Sequence, residues 1–469
     1  MRILPAVSPS PEQLAILGDS GPGVRLIRGA AGSGKTTTSL LRLRQLCRSR
    51  AARRERLGLE EPVRVLVLTY NRTLEGYIAE LARSQMPHTP GVLLEVSTFS
   101  RWARQLVPDD DILDRGEAAA LLGRLLPGVV QRSDLVTFFV DEVEYALSRF
   151  TPDQMSSYLT VRRDGRGTTP RVERSLRERL LDEVVAPYTD KKSELGVMDW
   201  NDLAVATISA PSPAYDVVIV DEAQDFSANQ VRAVLSHVHP DHSTTFVLDA
   251  IQRIYPRYFT WAEVGIQLRP SEIHRLRTNY RNTAEIAAFA IPLVRDLPEE
   301  DDGTIPDFTA CDSHGPRPVL VAGKYSSQLK YMLDELMTRV DLTSDSVAIL
   351  QPRGGGWFDQ ARSELRNRGI AFCELTRERD WPSGSEALGL STIPSAKGLE
   401  FDHVLLPGLN QQVTPHGEGE GDASLDRLRR LLAMGVGRAR KSVMLGYKPS
   451  DASTLIGLLD PATYDYVDV

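Results

Sequence analysis

The chain has 469 residues, of which 42% are hydrophobic and 25% are charged, and its formal net charge is -8 at pH 7. These values are typical of a soluble protein with two or three packed units, and the acidic balance argues against a uniformly basic surface that coats nucleic acid. No apolar run is long enough for a signal peptide or a transmembrane helix, so we expect a cytoplasmic protein that does not bind membranes.

A glycine-rich loop joins the first predicted strand to a long predicted helix. The strand covers residues 24–28, and the loop and helix start read Gly29, Ala30, Ala31, Gly32, Ser33, Gly34, Lys35, Thr36 and Thr37. In this P-loop pattern backbone N–H groups surround phosphates, the lysine reaches the terminal phosphates and the threonine hydroxyl binds Mg²⁺. The loop therefore predicts a nucleoside triphosphate site, which also needs an acidic partner.

An acidic pair follows the buried strand predicted over residues 217–220. Asp221 and Glu222 stand where that strand ends, and ligand chemistry in α/β proteins occurs at the carboxyl ends of parallel strands. We expect Asp221 to bind Mg²⁺ through water, with Glu222 beside it at the metal site, where it orients or deprotonates the attacking water. The simpler alternative, a solvated acidic turn, is disfavoured because the P-loop is present.

Further segments follow the P-loop and the acidic pair in a fixed order. Together with those two, they are PEQLAIL, GAAGSGKTT, VLVLTYNRTLEGYI, VSTFSRWARQL, DEAQD, FVLDAIQRIY, LRTNYRNTAEIAAFA, TIPSAKGLEFDHV and RLLAMGVGRARKSVML. From about residue 11 to about residue 447 the chain therefore resembles the UvrD/Rep-like branch of superfamily 1 DNA helicases. The resemblance implies an ATP-dependent motor that uses Mg²⁺ and moves 3′ to 5′ on single-stranded DNA.

The resemblance assigns roles around ATP. Gln13 would read adenine, Tyr280 would stack on it, and Arg281 and Arg438 would reach the γ-phosphate from the second domain. Gln252, close to Asp249, would couple phosphate sensing to the strand. The remaining residues expected at ATP are Gly398 and Glu400. Taken alone, Gln13 is also compatible with an ordinary polar helix position, and Tyr280 with a core position.

The resemblance also implies a track for the single strand. The residues expected to contact the strand are Asn71, Thr98, Phe99, Arg162, Arg163, Tyr255, Trp261 and Lys397. Aromatic rings stack on any base, and arginines of the loop over residues 160–171 suit phosphates. A solvated basic loop is an equal alternative for that segment, and a ring packed at the core edge is one for Trp261.

The predicted architecture is α/β, with two RecA-like P-loop NTPase domains and a helical insertion in the first. Residues 1–99 and 196–270 form the first domain, with strands near 63–68, 93–96, 217–220 and 245–248. Residues 100–195 are dense in helix formers and form the insertion, and 271–469 form the second domain, where apolar runs alternate with helices.

Several features depart from the resembled family. Pro394 replaces a histidine and Gly437 a threonine, so ATP hydrolysis is better supported than its coupling to movement. Residues 376–387 are all that stands where full-length members insert a second accessory subdomain. No nuclease module follows, and the acidic tail YDYVDV is expected either to be frayed and solvated or to dock a partner.

Two function classes remain open. The first is the ATP-driven motor on single-stranded DNA. The second is a nucleic-acid-gated ATPase that regulates a separate effector, such as a nuclease of a bacterial anti-phage system. The residues do not distinguish DNA from RNA, because stacking and phosphate contacts serve both.

Overall fold

The computed structural model describes residues 9–29, 32–69, 72–85, 90–108, 111–163, 166, 170–248, 259–276, 279, 281–297, 311, 313–354, 356–375, 382, 384, 386–416 and 423–469. Over these residues the chain is an α/β structure with two parallel sheets flanked by helices, which confirms the expected fold class. None of the helices among them combines the length and the apolarity needed to cross a membrane.

The strands are β1 (Gly23–Gly29), β2 (Val63–Thr69), β3 (Val92–Thr98), β4 (Asp111–Ile112), β5 (Val197–Met198), β6 (Tyr215–Val220), β7 (Val238–Leu248), β8 (Ile273–Leu276), β9 (Val319–Ala322), β10 (Val347–Gln351), β11 (Phe372–Glu374), β12 (Leu388–Thr392), β13 (Phe401–Leu406), β14 (Ala439–Tyr447) and β15 (Asp465–Asp468). The helices are α1 (Pro11–Gly18), α2 (Lys35–Leu57), α3 (Arg72–Gln85), α4 (Phe99–Leu106), α5 (Arg115–Leu125), α6 (Val136–Arg149), α7 (Arg174–Leu180), α8 (Ala186–Leu195), α9 (Trp200–Ile208), α10 (Ala228–Ser236), α11 (Ala284–Val294), α12 (Tyr325–Arg339), α13 (Trp357–Asn367) and α14 (Ala423–Val436).

The first sheet has the strand order β3-β2-β6-β7-β1-β8, and every neighbouring pair is parallel. Its central strand β6 is buried along its whole length, as its unbroken apolar run predicts. Helix α2 packs on this sheet through Leu40, Leu43 and Leu46. The carboxyl ends of β1, β2, β3 and β6 meet at one edge, and a predicted motif continues beyond each of the four.

The segment between β3 and β5 is mostly helical over its described residues. Apolar side chains of α5, α6 and the helix that runs from α7 to α8 form a cluster of their own, which includes Leu122, Phe139, Val143, Val184 and Tyr188. The two-residue strand β4 pairs in parallel with β5 and closes this segment. The helices agree with the composition of residues 100–195.

The second sheet has the strand order β11-β12-β10-β13-β14-β9-β15, again with parallel neighbours throughout. Each strand expected from an apolar run after residue 316 is present. The amino ends of β13 and β14 directly follow Glu400 and Arg438, so these two residues lie at one edge of the sheet.

Two strands differ from the expectation. Strand β8 lies within the range expected to begin the second domain, yet it pairs with β1 in the first sheet. Strand β15 lies in the tail expected to be frayed, yet it pairs with β9, and the Val469 amide donates to the Ala322 carbonyl at 2.8 Å. Both strands are short and poor in apolar residues, so a neighbouring strand rather than local composition decides their structure.

Candidate functional site

The P-loop connects β1 to α2 as predicted. Lys35 Nζ donates a hydrogen bond to the Gly29 carbonyl oxygen at 2.8 Å, which holds the ammonium inside the loop. Gly34 begins α2 in the left-handed conformation, with φ +74. Ser33 is fully buried, and Thr37 lies in the first turn of α2. The amino terminus of α2 therefore faces the loop, which is the arrangement that binds phosphates.

The acidic pair lies against the P-loop. The Thr36 hydroxyl donates to Asp221 Oδ2 at 2.9 Å, although the residues are 185 positions apart. Burial and the neighbouring Glu222 carboxylate raise the pKa of Asp221 to about 7. Glu222 has φ +54, a left-handed backbone that a non-glycine residue adopts only when its surroundings impose it. The sequence predicted this meeting of Thr36 and Asp221.

Cations from the second half of the chain reach the same acids. Lys397 Nζ lies 2.5 Å from Asp225 Oδ2 and 3.3 Å from Glu222 Oε2, and all three side chains are buried. Burial alone would raise the pKa of Glu222, but the charges of Lys397, Arg438 and Lys35 outweigh it and lower that pKa. Glu222 is therefore held ionised between groups from both sheets.

The two predicted arginines of the second half also lie in this region. Arg281 forms an ion pair with Glu400 and donates to the Gly437 carbonyl at 3.3 Å. Among the described residues, Arg281 Nε is buried without a hydrogen-bond partner. Arg438 is 1% exposed and lowers the pKa values of both Glu222 and Glu400. The unsatisfied Arg281 donor is the kind of group that a phosphate oxygen satisfies.

The segment around Arg281 packs directly on the P-loop. Gly32 has φ +83, and a Cβ atom there would lie 2.0 Å from Asn279 Oδ1 and 2.9 Å from Arg281 Cβ. Only glycine fits both the backbone conformation and the space. Gly398, directly after Lys397, is also left-handed, with φ +81.

Replacing Gly32 by Ala is expected to abolish ATP binding by pushing the P-loop away from Asn279. A matched control is Gly369→Ala, because Gly369 has φ +67 but no heavy atom within 4 Å of a Cβ. The control carries only backbone strain of about 1–2 kcal/mol. Binding of a fluorescent ATP analogue tests this, and equal affinities for the two variants would contradict it.

Gln13 touches the P-loop while it caps its own helix. Its Oε1 accepts a hydrogen bond from the backbone N–H of Ser10 at 2.9 Å. The Ser10 hydroxyl accepts one from the backbone N–H of Gln13, and the two bonds form a capping box. A Cβ on Gly34 would lie 2.7 Å from Gln13 Nε2. The side chain thus has a structural role next to the loop, and adenine reading stays a prediction.

The oxygens around Thr36 and Asp221 fit Mg²⁺ bound together with a nucleotide. Mg²⁺ takes one or two carboxylates and completes its shell with waters and phosphate oxygens. The part of the chain that the structure describes holds no group of three or more His, Cys, Asp or Glu able to hold a metal ion by itself. A metal ion at Asp221 would therefore take further ligands from the nucleotide and water.

Four residues expected on the nucleic-acid track make other contacts in this structure, and their contact with a strand stays a prediction. Phe99 is 4% exposed and packs edge to face against Trp102 and Phe226. Thr98 is buried and caps α4 by accepting from the Arg101 amide. Lys397 is 1% exposed in its ion pairs with Asp225 and Glu222.

The fourth of these residues is Arg163. Arg163 Nε lies 2.6 Å from Glu142 Oε1, Arg166 Nε lies 2.8 Å from Glu142 Oε2, and Glu142 is completely buried. These arginines therefore anchor their loop to α6 instead of presenting free cations. Arg162, in contrast, is exposed.

Trp261 lies half-buried at the edge of the first core. Its ring centroid is 5.1 Å from that of Phe246 and 5.6 Å from that of Phe259. Glu263, two residues later, pairs with Arg149 of α6 at 2.7 Å. Trp261 thus packs at the edge of the core, which was the alternative to a strand contact in the sequence analysis. The residue remains partly exposed.

Several predicted residues lie outside the part of the chain that the structure describes. They are Ala30, Ala31, Asn71, Asp249, Gln252, Tyr255 and Tyr280, together with most of residues 376–387.

Three residues of the site were missed by sequence reasoning. Asp225 binds Lys397, Gln224 Nε2 donates to Glu222 Oε2, and Asn279 Oδ1 accepts from the Arg281 amide at 3.0 Å. Gln224 and Asp225 belong to the DEAQD segment that was singled out for its first two acids. The polar character of that whole segment, directly after a buried strand, was the available signal.

Comparisons with known proteins give the following matches. Residues 10–269 match the UvrD/REP helicase N-terminal domain, and residues 360–450 match the UvrD-like helicase C-terminal domain. A stretch of 73 residues is 36% identical to the ATP-dependent DNA helicase PcrA of Bacillus subtilis (strain 168), and it covers 15% of this chain and 10% of that protein.

A solved structure, the C-terminal domain of a possible DNA helicase from Lactobacillus plantarum WCFS1, is also similar. Its sequence is 21% identical and its TM-score is 0.30, over 40% of this chain and 99% of that one. This similarity is too low to support an inference about fold or function.

Proposed function

The chain belongs to the UvrD/Rep helicase family, and from this membership we propose that it is an ATP-driven motor on single-stranded DNA. The proposal covers ATP hydrolysis at the P-loop, with Mg²⁺, and movement along the strand in the 3′ to 5′ direction that the family resemblance implies. In this proposal ATP is hydrolysed, and single-stranded DNA is the strand along which the motor moves.

One observation carries the proposal. The P-loop and acidic pair of the first sheet share a buried charge cluster with Lys397, Arg438 and the Arg281–Glu400 pair from the second half of the chain. Glu400 and Arg438 directly precede β13 and β14 of the second sheet. Hydrolysis at such a junction changes the charge between two packed units. That change is the physical basis for opening and closing a cleft in each cycle.

Each group of residues at the site has its own role in the proposed hydrolysis of ATP. Lys35 and the α2 amino terminus would bind the phosphates, and Thr36 and Asp221 would hold Mg²⁺, which neutralises phosphate charge when bound. Glu222, kept ionised by its cations, would orient or deprotonate the attacking water. Arg281 and Arg438 would stabilise the charge that develops on the γ-phosphate.

A second function is favoured by the short connection between β11 and β12. Only residues 375–387 separate these strands, where the resembled family inserts a second accessory subdomain. A chain built in this way could serve as a nucleic-acid-gated ATPase that regulates a separate effector, such as a nuclease, without unwinding duplex by itself.

The two functions are separated by paired assays on one preparation. ATP hydrolysis is measured with and without single-stranded DNA, and strand displacement is measured on duplexes with a 3′ or a 5′ tail. A motor should show stimulated hydrolysis and displacement from the 3′ tail. Stimulation without displacement would favour the regulatory ATPase, and a lack of stimulation would contradict both functions.

A further inference from the structure

The second half of the chain carries a single residue that the sequence predicts to contact nucleic acid. Lys397, the one strand contact expected after residue 271, is buried against Asp225 and Glu222. A cleft that opens and closes can move a strand only if both sides of the cleft hold it. Exposed aromatic and cationic side chains of the second sheet are the groups that could supply such a contact.

An aromatic pair lies at the carboxyl edge of that sheet. Tyr325 begins α12 after β9, and Trp357 begins α13 after β10. The ring centroids are 5.8 Å apart at an interplanar angle of 68°, and the Tyr325 hydroxyl donates to the Trp357 carbonyl at 3.0 Å. Both side chains are only partly buried, so part of the indole is accessible.

Both rings lie over the backbone of Gly408, just after β13. Gly408 has φ +77, and a Cβ atom there would lie 2.7 Å from the Tyr325 ring and 3.8 Å from the Trp357 ring. A glycine at this position therefore lets Tyr325 lie flat against the sheet edge and support Trp357 from behind.

A buried polar atom under the rings lacks a partner. Gln351 ends β10 and is fully buried, and its Nε2 donates to the Tyr325 hydroxyl at 2.9 Å. Within the described residues its Oε1 accepts no hydrogen bond. Gln351 therefore fixes the Tyr325 hydroxyl from below the rings, although its unsatisfied acceptor is costly.

Exposed cations lie at the same edge of the sheet as the aromatic pair. Lys324, Arg353 and Lys448 follow the carboxyl ends of β9, β10 and β14, and all three are exposed. These strands are parallel members of one sheet, so the three cations lie along one edge. Glu400 and Arg438 precede β13 and β14, so the ATP residues lie at the opposite edge of the same sheet.

We propose that Trp357, supported by Tyr325, is a stacking platform for a base of single-stranded DNA, with Arg353 and Lys324 on the neighbouring phosphates. A flat ring accepts any base, and the cations match the phosphate backbone. This inference rests on the proposed function and supplies the strand contact of the second sheet.

Binding of fluorescein-labelled oligothymidylate to the full chain tests the platform. Trp357→Ala should weaken binding about tenfold, whereas Trp357→Phe, which keeps a ring, should lose less than about threefold. Arg353→Gln should weaken binding and make its salt dependence shallower, because one phosphate contact is lost. Lys330→Gln removes an exposed cation of α12 from a position beyond this edge and should bind like the wild type.

A second measurement does not depend on how the variants fold. The unaltered protein is photo-cross-linked to a strand that carries 5-iododeoxyuridine, and the adducts should include the peptide that contains Trp357. Unchanged binding by Trp357→Ala together with no adduct on that peptide would overturn this inference alone. If the unaltered protein neither bound the strand nor hydrolysed ATP faster with it, the proposed function would fail instead.

Discussion

Replacing Glu222 by Gln is expected to abolish ATP turnover while ATP remains bound. The amide keeps the shape of the carboxylate but can neither take a proton from water nor carry the charge that Lys397 and Arg438 stabilise. Loss of a general base costs roughly 10²–10⁴-fold in rate. Phosphate release under saturating ATP and single-stranded DNA gives the rate, and a fluorescent ATP analogue gives the affinity.

Two companion variants make the Glu222 result specific. Lys35→Ala removes the ammonium that the loop holds at the Gly29 carbonyl, so it should lose ATP affinity as well as turnover. Glu178→Gln removes an exposed carboxylate of α7 that pairs with Arg174, and it should match the wild type in both assays. Wild-type hydrolysis by the Glu222→Gln variant would remove this residue from the reaction.

The sequence predicted the parts of the fold whose signal is local. Strand β6 is an unbroken apolar run, and the P-loop carries its own strand, glycines and helix, so both could be located without the rest of the chain. Strands β8 and β15 were not predicted, because the segments IHRL and DYVD become strands through their pairing with β1 and β9. No local pattern contains that partner.

The same distinction holds for the site. The meeting of Thr36 with Asp221 was predicted because each belongs to a recognisable motif. Lys397 was placed on the strand track because its partner Asp225 is 172 positions away and its motif says nothing of burial. The packing of Phe99 could not be predicted for a similar reason, since an aromatic residue after a strand has the same sequence signal whether it packs inward or faces solvent.

Replacing Lys397 by Met is expected to be the most destabilising single change at the junction of the two sheets. It leaves the carboxylates of Asp225 and Glu222 buried without their nearest cation, and removing one partner of a buried ion pair costs about 3–5 kcal/mol. The midpoint of thermal unfolding without nucleotide should fall sharply. Lys330→Met, at an exposed position of α12, should leave the midpoint nearly unchanged.

A double change separates the ion pair from the packing of the Lys397 side chain. In the variant with both Asp225→Asn and Lys397→Met, no charge is stranded at Asp225, so much of the lost stability should return even though the lysine is absent. If the double variant were as unstable as the sum of the two single variants, the two residues would be energetically independent. The ion pair between Lys397 Nζ and Asp225 Oδ2, at 2.5 Å, would then not stabilise the contact between the DEAQD and KGLEF segments.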